Sequence, residues 1–277
     1  AGGKTGKAMI TSFSGSGQSV RAFVRRDDGE QELRALGAAE IFCGDLDNPK
    51  SLIEAAKGCK AIYYICPNMT EKEKVFGNNI IVASREAEVK RLIFHAVLHP
   101  QVRSLQHHWE RLSVEEAIIE SGLPFSILQV GSYFQNMLPG WKKMLETGVH
   151  SMAYEVDARM SLVDLEDVTE AAVKIFQDPG CENGIFELCG SVITLLEKAE
   201  ILSEVLGTKI KAEKLPSENA IMHAANSGVG TYGQECMRKM FAHYDKHGLV
   251  GSPRVLQWLL GRPPTNFKSF AERAAKL

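Results

Sequence analysis

Along the first half of the chain, the pattern of hydrophobic and polar positions switches repeatedly between two periods. Residues 19–24 (Ser-Val-Arg-Ala-Phe-Val) alternate polar and apolar side chains, the period-two signature of a strand. Residues 6–16 read as a helix closed by Gly17, and residues 30–36 as a shorter helix closed by Gly37. Further β-rich runs fall at 39–42, 61–65, 91–94 and 125–129, with helical stretches between them. Asn48-Pro49 supplies an N-cap and the proline favoured at the first helical position, opening a helix that Gly58 closes. Thr70 with Glu73 three residues on has the capping-box spacing and predicts a helix running to about Glu88. Residues 105–121 predict the next helix, ended by Gly122.

Strands joined by helices require a parallel sheet with right-handed crossovers and helices on both faces. The fold class expected is therefore α/β, a doubly wound parallel-sheet Rossmann fold. Beyond residue 130 the alternation weakens: helices are predicted around 137–146, 167–176, 195–206 and 233–247, with strands near Phe186 and Ile210. The expected organisation is a Rossmann domain over 1–130 and a smaller, mostly helical, substrate-binding lobe over 131–277, intertwined with the sheet. Ligands of such sheets sit beyond the carboxyl ends of the strands.

Composition narrows the classes of partner. The 277 residues are 44% hydrophobic and 24% charged, which excludes disordered and low-complexity readings. A net charge of -2, with neither sign in a long block, argues against direct nucleic-acid binding. The longest apolar runs, such as 61–66, span about six residues, far below the roughly 20 of a membrane span. The first nine residues carry two lysines and no apolar stretch, unlike a secretory signal. Six scattered cysteines without a C-x-x-C read as reduced thiols, so a cytoplasmic setting is expected and a metal site is not.

The candidate chemistry begins at Ala1-Gly2-Gly3-Lys4-Thr5-Gly6, where glycines leading into a helix let backbone N–H groups approach a pyrophosphate; a flexible chain end reads the same way. Further along come Val24-Arg25, Gly44-Asp45-Leu46, Tyr64 to Pro67, Val97-Leu98-His99-Pro100 and His107-His108-Trp109-Glu110-Arg111. Leu128-Gln129, Tyr133-Phe134-Gln135-Asn136, Val163-Asp164 with Asp167, and Gly261-Arg262-Pro263-Pro264-Thr265 follow. In this order and spacing the sequence resembles the NmrA-like family of atypical short-chain dehydrogenase/reductases over almost its whole length.

The resemblance implies that Gly3 and Gly6 are the second and third glycines of a G-A-x-G-x-T-G loop. The first glycine and its strand are then expected upstream of Ala1, making the chain a fragment of a longer protein. Lys4, Thr5, Leu46 and Pro67 join the cofactor site by the same resemblance, with Asp45 beside the adenine or, alternatively, simply forming a turn. Arg25, with Arg26 next to it, stands where an arginine accepts the 2′-phosphate of NADP, so NADP(H) is favoured over NAD(H). A solvated charge cluster with Asp27 and Asp28 is the other reading.

The superfamily's Tyr-x-x-x-Lys pair is replaced by His107 and Arg111, four apart on one helical face, and its strand serine by Phe94-His95-Ala96. Arg111 can hold ribose hydroxyls but cannot relay protons. His107 is a candidate acid, against local packing; His107 and His108 point about 100° apart and so do not share a metal. Tyr133 is a second candidate donor, against core packing, and Cys66 a candidate redox thiol, against buried filler. The functional expectation is an NADPH-dependent reductase of a small carbonyl, quinone or enone, acting by hydride transfer. The alternative is a non-catalytic NAD(P) redox sensor that works through a regulatory protein partner, in which case a nuclear location is also open.

Overall fold

In the computed structural model, which describes residues 1–26 and 29–276, the period-two stretches become parallel strands and the stretches between them helices. Asp27 and Asp28, the proposed charge-cluster partners, lie outside the described residues. The chain runs α1 (Lys4–Gly15), β1 (Val20–Val24), α2 (Glu30–Ala35), β2 (Ala38–Cys43), α3 (Pro49–Ala56), β3 (Ala61–Ile65) and α4 (Glu73–Glu86). Next come β4 (Arg91–Val97), α5 (Gln106–Glu120), β5 (Phe125–Val130), β6 (Ser132–Tyr133), α6 (Trp141–Thr147), β7 (Val149–Met152) and β8 (Met160–Val163). The remainder is α7 (Leu165–Gln177), β9 (Gly184–Leu188), β10 (Val192–Ile193), α8 (Leu195–Leu206), β11 (Lys211–Lys214), α9 (Ser217–Asn226), α10 (Thr231–His247), α11 (Arg254–Leu260) and α12 (Phe267–Ala274).

Strands β3, β4, β5 and β9 pair in that order as one parallel sheet, and β1 and β2 as a separate parallel pair. Register alternation gives the four-stranded sheet two faces. Tyr63, Ile65, Ile93, His95 and Leu128 point one way, against Met9 of α1, Val168 and Ile175 of α7, and Leu256 of α11. Tyr64, Cys66, Leu92, Phe94 and Ile127 point the other way, against Ile80 and Ile81 of α4 and Val114 and Ile118 of α5. The sheet is thus doubly wound. Helix α1 bridges the two sheets: Met9 joins Ile93 and Leu128, while Ile10 packs with Ala22, Val24 and Leu33.

Residues after 130 divide between the sheet and a third core. Helices α7 and α11 and strand β9 return to the Rossmann sheet, whereas Phe134, Leu202, Phe241, Phe267 and Phe270 build the lobe beside it. Within the lobe β7 pairs with β11, and β8 with both β6 and β10.

Two local expectations change and one holds. Helix α1 begins at Lys4 rather than Gly6, its first turn closed by Lys7 N–H donating to Gly3 O at 2.9 Å. Asn48 caps α3 as expected, accepting from Lys50 N and Ser51 N. Thr70 and Glu73, however, form no capping box: the Thr70 hydroxyl accepts from Lys72 N at 3.2 Å, and α4 starts at Glu73 without a side-chain cap. The Glu73 carboxylate is instead buried against α5.

Candidate cofactor and active site

Gly3 sits extended (φ -80°, ψ 168°) at the N-cap of α1 and offers no side-chain cap. The N–H groups of Lys4, Thr5 and Gly6 therefore have no partner within the helix and carry the positive end of its dipole. A Cβ at Gly6 would lie 2.2 Å from the Ala1 carbonyl oxygen, so only glycine lets the preceding backbone cross the helix start this closely. That combination of unpaired N–H groups and a glycine-only crossing fits a phosphate at the helix start.

The other expected cofactor residues occupy the carboxyl ends of successive strands. Arg25 is exposed directly after β1. Asp45 is exposed after β2, where its carboxylate accepts from Asp47 N at 3.0 Å; the turn role is therefore formed. The Leu46 carbonyl is held by Asn79 Nδ2 at 2.8 Å, and Pro67 is exposed after β3. The structure brings Lys4, Thr5 and Tyr133 together, and separately His107 and Arg111.

On the α1 face, a polar chain runs through the sheet edge. The Tyr63 hydroxyl lies 2.7 Å from His95 Nδ1, and His95 Nε2 lies 2.7 Å from the Tyr133 hydroxyl. Beyond Tyr133 stand the Thr5 hydroxyl and the Lys4 ammonium, 5.3 Å from the ring centre and donating to Asn136 Oδ1. Burial, with Arg111 nearby, pushes His95 down to about 3, so the imidazole is neutral. Burial pushes Tyr133 up to about 12, which keeps its proton on the phenol.

On the opposite face, Arg111 of α5 meets Glu73 of α4, with 3.5 Å between Nε and Oε1 and both side chains buried. Gly77, one turn after Glu73, permits this approach: a Cβ there would lie 2.7 Å from the Val114 side chain. Burial raises the Glu73 carboxyl, opposed by the Arg111 charge. Tyr64 of β3 and Cys66 just after it lie beside the pair, and burial drives the Cys66 thiol far above its ordinary range, leaving it a protonated, weakly reactive group. His107 and His108 stack edge to face at 4.5 Å; burial, then His108 and Arg111, push His107 down to about 2. As a neutral imidazole it has no acidic proton to give near neutral pH. Among the described residues, no three His, Cys, Asp or Glu side chains group as metal ligands.

Four buried atoms of this cluster make no close hydrogen bond: Tyr64 Oη, which has the Cys66 thiol beside it, Glu73 Oε1 and Arg111 Nε, which face each other at 3.5 Å, and His107 Nδ1. Buried polar atoms are nearly always paired in folded proteins, so such a group is open to an ordered water or to a polar ligand. The fixed charge of Arg111 suits an anionic or negatively polarised oxygen.

Sequence reasoning gave no role in the site to Tyr63, Tyr64, Glu73 or His95, although Tyr64 opens one of the motifs and His95 stands where the superfamily keeps its serine. The signals were there: adjacent tyrosines on a strand project to opposite faces, and His95 interrupts an otherwise apolar strand. Glu73 was concealed by its capping-box spacing. The later motif residues turn out to lock the lobe to the sheet: Asp167 receives Arg262 at 2.8 Å and Thr265 N at 2.6 Å, and Asp164 receives Gln135 Nε2 at 2.7 Å.

A doubly wound parallel sheet, with a glycine-started helix and a polar cluster at its carboxyl edge, makes this a Rossmann-type α/β protein. The chain belongs to the NmrA-like family, whose model matches residues 1–272. It is 27% identical over 251 residues to quinone oxidoreductase 2 of Escherichia coli, covering 89% of this chain and 86% of that protein. An NAD(P)H azoreductase of Xenophilus azovorans is 23% identical over 275 residues, 99% of this chain and 95% of the other. The crystal structure of an NADPH-dependent quinone oxidoreductase of Escherichia coli complexed with NADPH superposes with a TM-score of 0.83 at 23% identity, over 98% of this chain and 96% of that one.

Proposed function

We propose that the protein is an NAD(P)H-dependent reductase that passes hydride to a small, electron-poor acceptor, with quinones favoured over simple ketones. The observation that carries this reading is the buried polar cluster of Tyr64, Glu73, His107 and Arg111, with its fixed guanidinium charge, at the carboxyl edge of the sheet. The family's quinone and azo reductases support it. When bound, the reduced nicotinamide supplies the hydride; the chain binds, orients and excludes water.

In this reading the N–H groups of Lys4, Thr5 and Gly6 hold the pyrophosphate, and Arg25 meets the 2′-phosphate of NADP(H). Asp45, Leu46 and Pro67 line the adenosine side. Arg111 and its neighbours receive the acceptor's oxygen or the adjacent ribose hydroxyls. The substrate preference follows from proton chemistry. His107 and His95 are neutral, Arg111 does not deprotonate, and Tyr133 is held near 12. A ketone that takes hydride becomes an alkoxide, which needs an acid at once. A quinone becomes a phenolate-type anion, with a pKa of about 10 by analogy with tyrosine, which Arg111 can stabilise until water protonates it.

NADPH oxidation measured against matched panels of quinones, enones and ketones tests the reading. Turnover confined mainly to quinones is expected. A panel silent throughout, with different affinities for oxidised and reduced cofactor, would replace it with a redox sensor acting through a protein partner. Arg25→Glu is expected to weaken NADPH binding about tenfold while leaving NADH little changed, since it removes one phosphate contact; equal losses for both would place Arg25 outside the 2′-phosphate site.

A further inference from the structure

His95 stands between two phenols, and the hydrogen-bonding directions along that chain are not interchangeable. A neutral imidazole has one donor nitrogen and one acceptor nitrogen. The Tyr63 ring packs edge-on against Phe13, its phenol is desolvated, and among the described residues its hydroxyl has no hydrogen-bond partner besides His95 Nδ1. With a proton on Nδ1, the Tyr63 O–H would have no acceptor, which buried hydroxyls avoid. With Nδ1 unprotonated, Tyr63 donates to it and every group is satisfied.

We propose that Tyr63 fixes His95 as the Nε2–H tautomer, which donates to the Tyr133 oxygen and so turns the Tyr133 proton away from the sheet, toward the Thr5 hydroxyl and a phosphate oxygen of a dinucleotide at the start of α1. Tyr63 and His95 are then positioning residues, and Tyr133 is the group that touches the ligand. The Tyr133 hydroxyl lies beside Thr5, and the Lys4 ammonium lies over its ring. A phosphate there meets a directed neutral donor, a positive charge and the unpaired N–H groups of a helix start. Only the identity of the acceptor rests on the proposed function; the tautomer does not.

Nitrogen-15 NMR of His95 in the ligand-free protein reads the tautomer directly, and NADPH titration of Tyr63→Phe and Tyr133→Phe reads its consequence. The expected result is a single Nε2–H form in the wild type, a mixed or Nδ1–H form in Tyr63→Phe, and NADPH binding weakened about tenfold in Tyr133→Phe. A smaller loss in the same direction is expected in Tyr63→Phe, with the His95 signal confirming that both variants are folded. An Nδ1–H wild type, or two folded variants that bind NADPH like the wild type, would overturn the inference. A wild type that bound no NADPH would sink the proposed function and with it the phosphate acceptor, while the tautomer signal would still decide the polarity of the chain.

Discussion

Arg111 illustrates how much one side chain's neighbours decide its role. Its charge is buried against Glu73 and also bears on His95, His107 and Tyr133. Removing one member of a buried pair leaves the other charge uncompensated, which costs about 3–5 kcal/mol, more than the pair itself contributes. Glu73→Gln is therefore expected to lower unfolding free energy by about that amount in a urea titration, since the guanidinium cannot lose its charge, and Arg111→Met by less, since burial already favours the protonated Glu73 carboxyl. Equal, small effects from both would show that the pair is not buried in solution. At this scale the sequence was partly legible. The four-residue spacing of His107 and Arg111 put them on one face, as found. The partner Glu73 lies 38 positions before Arg111 in the sequence, and no local pattern announces a pairing made by packing two helices.

At the scale of elements, the site depends on how closely α4 and α5 cross. Gly77 and Glu73 share a face of α4, as Val114 and Arg111 share a face of α5, so the glycine that admits Val114 also sets the distance between the charges. Gly77→Ala gains about 1 kcal/mol of helix propensity but forces a contact of 2.7 Å to relax, at a cost of about 1–3 kcal/mol. A net loss of stability is expected in thermal unfolding, together with a fall in quinone turnover as Arg111 moves; a stabilised, fully active variant would mean the crossing is loose. The long alternating elements were readable because each has its own period and punctuation, such as Asn48-Pro49 before α3 and Gly122 (φ +71°) after α5. Strands β6, β7, β8 and β10 have two to four residues each, too few to show a period, and exist because distant partners pair with them. The same non-local dependence hid α9, α11 and α12, whose apolar faces are short.

For the whole molecule, buried histidines dominate the response to acid. His95, His107, His108 and His150 are held at about 3, 2, 4 and 3, against 6.5 when unfolded, so from pH 6.5 downward the unfolded chain binds protons that the folded chain refuses. Glu115, raised to about 7 by burial, opposes this by keeping its proton in the folded state down to its unfolded value of 4.5. The net uptake on unfolding between pH 6 and 5 is about three protons, so stability should fall by about 4 kcal/mol per pH unit there. A melting temperature that dropped steeply below pH 6 would agree; one that stayed flat to pH 4.5 would contradict the buried, neutral histidines. Glu115→Gln should raise stability at pH 8 relative to pH 5, because the stability that Glu115 loses as pH rises through 7 disappears with it.

The central claim is that the carboxyl edge of this sheet, from Gly3 to Arg111, binds a nicotinamide dinucleotide. Calorimetric titration of the folded 277-residue chain with NADPH tests it most directly. The account predicts saturable one-to-one binding that weakens as salt screens Lys4 and Arg25. A folded sample that released no heat of binding at any NADPH concentration up to the millimolar range would contradict it.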